Sequence, residues 1–109
     1  MTKAGALHKR YVLFEYLGKP IDESTLKPLL YAEALKFFGE LGLSYAALKL
    51  ISFDGKSGII RCERDYLDKV LGFLALLSSL DGSDARLRAV KSSGTLKGLG
   101  STVESIQLK

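Results

Sequence analysis

One histidine, His8, and one cysteine, Cys62, are the side chains best suited to move a proton or attack an electrophile near neutral pH. Such groups work only with a base in hydrogen-bond reach and a third group to orient it. His8 stands in the amino-terminal segment, and Cys62 falls on the inward side of a short β-rich run with no histidine near it in sequence. The carboxylates gather where helices start or face water: Asp22 and Glu23 at one start, Asp65 and Asp68 at another, Glu33 and Glu40 outward. Those places suit capping and solubility. Gly55-Lys56-Ser57 has the ending of a phosphate loop, but the motif needs a glycine where this chain has Leu50. Gly94, Gly98 and Gly100 lack dinucleotide-fingerprint spacing and follow the last strand instead of opening a βαβ unit. A single cysteine excludes an internal disulfide, and with a single histidine it makes no zinc set. The expectation is a chain with no catalytic residue and no bound metal.

The cations carry more. The formal net charge is +4, and its distribution is uneven. Residues 1–14 contain no acid, and from Ala85 to Val103 the only charged side chains are Arg86, Arg88, Lys91 and Lys97. Basic ends of this kind suit a polyanion, because cations offset phosphate repulsion while aromatic rings or arginine planes stack on unpaired bases.

The elements that would position these residues follow from periodicity. Arg10–Leu17 reads as a first strand, with Val12, Phe14 and Tyr16 on one face and Tyr11, Leu13 and Glu15 on the other. A helix is expected from about Ser24 to Leu41, its stripe Leu30, Ala34, Phe37, Phe38 and Leu41, with Ser24 or Thr25 as N-cap so that Pro28 falls in the first turn. Gly39 and Gly42 mark its end. Leu48–Phe53 and Gly58–Glu63 form a hairpin about Asp54-Gly55-Lys56-Ser57. Ile60 and Cys62 then share one face of the third strand, and Ile59, Arg61 and Glu63 the other. Asp65 caps a second helix with Leu67, Val70, Leu71, Leu74 and Leu77 inward; Phe73, Leu76 and Leu80 lie outside that stripe and are candidates for a protein interface. Ala85–Ser92 is the fourth strand, alternating Arg86, Arg88 and Val90 against Leu87, Ala89 and Lys91.

This order implies an α+β fold: a ferredoxin-like or RRM-like βαββαβ sandwich, a four-stranded antiparallel sheet with both helices on one face. The opposite face is expected to stay open and to bring Tyr11, Arg61, Arg86 and Arg88 together beside Glu15 and Glu63. Strand three lacks the aromatic residues of a base-reading RNA recognition motif, which favours contact with backbone or shape. The 109 residues, 47% of them hydrophobic, suit a single domain, with residues 1–8 flexible and 96–109 a tail or short helix. The longest apolar run, Leu71–Leu77, is far short of the ~20 residues that span a bilayer. No secretory signal is recognisable, so the expected setting is intracellular.

Three stretches, Arg10-Tyr11-Val12-Leu13-Phe14-Glu15, Gly58-Ile59-Ile60-Arg61-Cys62-Glu63-Arg64 and Ser93-Gly94-Thr95-Leu96-Lys97, stand in this order with a helix after each of the first two. Together, from Lys9 to Leu99, they resemble the archaeal ribonuclease P protein component 2 family, which has eukaryotic relatives. The resemblance implies a cytoplasmic ribonucleoprotein, an endonuclease that removes the 5′ leader of precursor tRNA by hydrolysing one phosphodiester bond. Its RNA subunit performs that chemistry with magnesium ions, so this chain is implied to bind no cofactor and to supply no catalytic residue. The implied partners are ribonuclease P RNA, precursor tRNA indirectly, and ribonuclease P protein component 3, in a hetero-oligomer with two copies of each protein. Carried onto this sequence, Lys9, Arg10 and Tyr11 belong to a basic entry into strand one and Arg61 to strand three. Ser93, Gly94, Thr95 and Lys97 form a turn after strand four, with Gly94 allowing a tight path and Lys97 meeting a phosphate. With Arg86, Arg88 and Lys91 these are the candidate RNA-binding residues. Family members tend to continue with a more basic tail than Gly98-Leu99-Gly100-Ser101.

A competing reading is a ferredoxin-like regulatory or dimerisation domain that binds a small molecule or a protein, since this fold hosts many functions. A third is a small enzyme in its own right. Stabilisation by a metabolite, in place of RNA or a protein partner, would mark the second reading.

Overall fold

The computed structural model describes residues 8–99. The expectation of a flexible start over residues 1–8 falls, His8 apart, outside the described residues, as does that of a tail beyond Leu99. Strands β1 (Lys9–Gly18), β2 (Lys49–Phe53), β3 (Ser57–Glu63), β4 (Ser79–Leu80) and β5 (Ser83–Ser93) form an antiparallel sheet in the order β2-β3-β1-β5-β4. Helix α1 (Glu23–Ala46) joins β1 to β2, and α2 (Leu67–Leu76) joins β3 to β4.

The sheet has five strands, not the four expected. The additional strand, β4, is two residues long and folds onto β5 through Asp81 and Gly82, both at positive φ (52° and 79°). Positive φ at both central residues gives a two-residue turn the twist that joins right-twisted strands, which is why Asp-Gly serves there. The hairpin pairs Leu80 with Ser83 and buries the leucine.

Both helix starts differ from expectation. Asp22, not Ser24 or Thr25, caps α1, its carboxylate accepting from the Thr25 N–H at 2.8 Å. Pro28 therefore lies beyond the first turn, where its missing N–H leaves the Ser24 carbonyl without a helical donor. Gly39 breaks the helical path (φ 75°, ψ 169°), but the chain resumes the helix and ends it with Ala47 in the left-handed region, so the glycine marks a kink and not the end. Asp65 is not a cap: Arg64–Tyr66 is a 3₁₀ turn that leads into α2 from Tyr66 with no side-chain cap.

One face of the sheet meets both helices. Val12 and Phe14 of β1, Ile60 and Cys62 of β3, and Ala85 and Leu87 of β5 pack with Leu26, Leu30 and Ala34 of α1 and Val70, Phe73 and Leu74 of α2. The alternation expected for β1 and β3 is thus observed. Phe14 stacks on Phe53 across the sheet, ring centroids 6.1 Å apart, and Tyr16 meets Phe53 edge-on at 5.5 Å.

Candidate nucleic-acid interface

The strand registers fix what the opposite face displays. Lys49, Arg61, Tyr11 and Ser93 lie side by side in one row across β2, β3, β1 and β5; Ser52, Ile59, Leu13 and Lys91 form the next. Glu15 then pairs with Arg88 and Leu17 with Arg86. Tyr11, Arg61, Arg86 and Arg88 do share a face, but not one spot, since the four residue steps from Tyr11 to Glu15 span roughly 13 Å of strand. Two bulges shape this display. One between Leu13 and Phe14 lets β5 place an extra residue, Val90, so Lys91 comes to the side of Arg86 and Arg88, although plain alternation had put it on the other. The second, at Ile51, leaves Lys49 in line with Arg61.

The face is not open along its middle. The chain turns back after β5, becomes helical at residues 96–99, and seats Leu99, fully buried, on Leu13 and Ile59, with Tyr11 and Ile51 at the margin. Cations flank this apolar strip. Lys9 is ion-paired with Glu63, and Arg88 with Glu15, whose Oε1 also accepts from Arg88 Nε at 3.1 Å. Among the described residues no carboxylate lies in ion-pair reach of Lys49, Arg61, Arg86, Lys91 or Lys97. Those cations are the ones not neutralised by a neighbouring acid among the described residues.

The turn after β5 is built by close contacts. Thr95 Oγ1 accepts from the Gly98 N–H at 3.0 Å, capping the short helix, and Ser93 Oγ accepts from the Thr95 N–H at 3.3 Å. A Cβ at Gly98 would lie 2.0 Å from Ser93 Oγ, and one at Gly94 3.1 Å from Arg10 Nη1. Gly94 thus admits the Arg10 guanidinium, which also donates to the Lys9 carbonyl at 3.0 Å. Lys97 is exposed in the first turn of that helix.

The three candidates for a protein interface separate, Phe73 and Leu76 lying on α2 and Leu80 beyond its end in β4. Phe73 and Leu80 are core residues, 3% and 4% exposed, so neither offers a side chain to a partner. Phe73 is enclosed by Phe37 and Phe38 of α1, centroids 5.5 and 5.8 Å away. Helix α2 touches both the sheet and α1, and its buried stripe widens to include position 73. Leu76 remains 71% exposed beside the half-exposed Phe37. Cys62 is enclosed, and burial, with the Glu63 carboxylate beside it, pushes its thiol up to about 11. Among the described residues no three histidine, cysteine or acidic side chains converge as a metal site would require, and no helix is long and apolar enough to cross a membrane.

A family model described as Rpp14/Pop5 family matches residues 10–103. The chain belongs to the Rpp14/Pop5 family. Its relatives include "Ribonuclease P protein component 2" of Archaeoglobus fulgidus, 39% identical over 90 residues that cover 82% of each chain. The protein of the same name from Pyrococcus furiosus is 34% identical over 94 residues, 84% of this chain and 78% of that one. A chain in a cryo-EM structure of yeast ribonuclease MRP shares the fold, with a TM-score of 0.69 at 16% identity over 94% of this chain and 93% of that one. The family resemblance now has a spatial basis. Two of its stretches are the paired strands β1 and β3, and Gly94 of the third packs on Arg10 of the first, so this Rpp14/Pop5 chain gathers all three at one end of the sheet.

Sequence reasoning missed Lys49. Its signal was the basic residue opening the second strand, but only the register across β3 sets it beside Arg61.

Proposed function

We propose that this chain is a non-catalytic protein subunit of ribonuclease P that supports the catalytic RNA during magnesium-dependent removal of 5′ leaders from precursor tRNA in the cytoplasm. The observation that carries the reading is a sheet face on which Arg61, Arg86 and Lys91 have no acidic partner among the described residues, in a member of a family whose relatives bear the name of that enzyme's protein component. Phosphates meeting Arg61, Arg86, Lys91 and Lys97 would release counterions and hold the RNA in its folded form, so that its magnesium sites fill at lower ion concentration. Arg10 and Gly94, with Ser93, Thr95, Lys9 and Tyr11 around them, give the same face a closely packed rim. Bond breaking belongs to the RNA and its magnesium ions, and Cys62, inward and held as a thiol, suits packing better than attack. The protein partner is ribonuclease P component 3, in two copies of each, docking over Leu76 and Phe37 where α1 and α2 expose apolar surface.

Binding of the full chain to ribonuclease P RNA, measured against salt, tests the face. Arg86→Ala and Lys91→Ala should each weaken binding and lower the slope of log affinity against log salt by about 1. Arg88→Ala should lower it less, because Glu15 already takes part of that charge. Slopes unchanged by all three substitutions would remove this face from the RNA contact.

A further inference from the structure

Where the chain passes from α1 into β2, the edge of the sheet holds a hollow of about 450 Å³. Lys27 of α1, Lys49 of β2 and Arg61 of β3 line it, with no carboxylate among the lining residues. The acid one turn before Lys27, Glu23, is engaged elsewhere, accepting from the Phe53 N–H at 3.2 Å. Three like charges around one depression repel one another unless an anion sits among them. Arg61 has its Nε buried, with no hydrogen-bond partner among the described residues. A buried donor without an acceptor is costly, and with Nε shut in, the Arg61 side chain meets an outside group through its terminal nitrogens. Tyr31 adds a donor, because its hydroxyl oxygen accepts from the Leu50 N–H at 3.0 Å and leaves its own proton for another group. Leu43 and Leu48 supply an apolar wall.

We propose that this hollow is a phosphate-binding site that takes one unpaired nucleotide of an RNA. Its phosphate meets Arg61, Lys27 and Lys49, and its sugar or base lies on Leu43 and Leu48. A guanidinium fork and ammonium groups are the usual partners of a phosphate, and an apolar wall beside them suits the rest of a nucleotide better than a bare inorganic ion. RNA as the source of the nucleotide rests on the proposed function; the phosphate chemistry rests on the hollow itself.

The test is an amide-resolved NMR titration of the full chain with uridine 5′-monophosphate, inorganic phosphate and uridine. Saturable shifts at Lys27, Leu48, Lys49 and Arg61 are expected with the monophosphate, smaller ones with phosphate, and none with uridine. Lys27→Ala with Lys49→Ala, both exposed positions, should weaken the monophosphate about tenfold while the remaining spectrum confirms the fold. The same double variant should bind ribonuclease P RNA less tightly than the unaltered chain. Shifts scattered over the surface, or equal in the double variant, would overturn the site. Monophosphate binding with RNA affinity untouched by the double variant would overturn the RNA occupant. Either failure, with an unaltered chain that still lowers the magnesium requirement of the RNA, leaves the proposed function standing.

Discussion

A Cβ at Gly58 would lie 2.4 Å from the Ser52 carbonyl oxygen and 2.7 Å from the Phe14 ring. The first of these is backbone, so Gly58→Ala must shift β2 away from β3 or turn Phe14 out of its stack on Phe53. We expect a loss of about 2 kcal/mol or more, read as a lower urea midpoint; an unchanged midpoint would show that the strands give way freely. Cys62 sets a pH limit. Its thiol, ordinarily near 9, is held at about 11, so the folded protein binds this proton more tightly than the unfolded chain. The resulting stability, on the order of 2 kcal/mol, is complete below pH 9 and is lost as pH rises toward 11. Cys62→Ala should therefore show a shallower fall of stability over that alkaline range, whatever its stability near neutral pH. The inward place of Cys62 was legible from alternation beside Ile60. The need for glycine at 58 was not, because it arises from Phe14, which is distant in sequence.

At the scale of elements, period-2 alternation located β1, β3 and β5 and sorted their faces, since each strand buries only one side. It failed where the period is interrupted. The bulge at Val90 moved Lys91 to the other face, and β4 is too short to show any period; only Asp81-Gly82 hinted at its turn. In α1, Gly39 read as a terminator because a helix usually ends at such a residue, yet tertiary packing carries the helix on to Ala46. In α2, contact with two neighbours widened the buried stripe and took Phe73 inside. This separates two substitutions on one helix. Phe73→Ala should cost about 3 to 5 kcal/mol of stability by leaving a cavity between Phe37 and Phe38. Leu76→Glu should leave the unfolding midpoint nearly unchanged and abolish pairing with component 3 in a pull-down of the purified proteins. Pairing retained by a folded Leu76→Glu chain would move the partner off this face.

Across the whole molecule, one side of the sheet is spent on the core and the other is divided by Leu99 into an apolar strip with cations on its flanks. The βαββαβ frame and the shared face of Tyr11, Arg61, Arg86 and Arg88 could be read from local patterns. The return of the chain over Leu13 and Ile59 could not, since a tail with glycines at 94 and 98 carries no periodic signal and its path depends on contacts made by Ser93, Thr95 and Arg10. This division leaves apolar and cationic surfaces outside the core, and under the proposed function they hold other chains while the RNA cleaves. The most direct measurement is leader removal from precursor tRNA by ribonuclease P RNA reconstituted with component 3, with and without this chain, as magnesium is lowered. The chain should shift the magnesium dependence to lower concentration, and nothing should be cleaved when the RNA is omitted. Cleavage by the protein without the RNA, or identical magnesium curves with and without it, would contradict that claim.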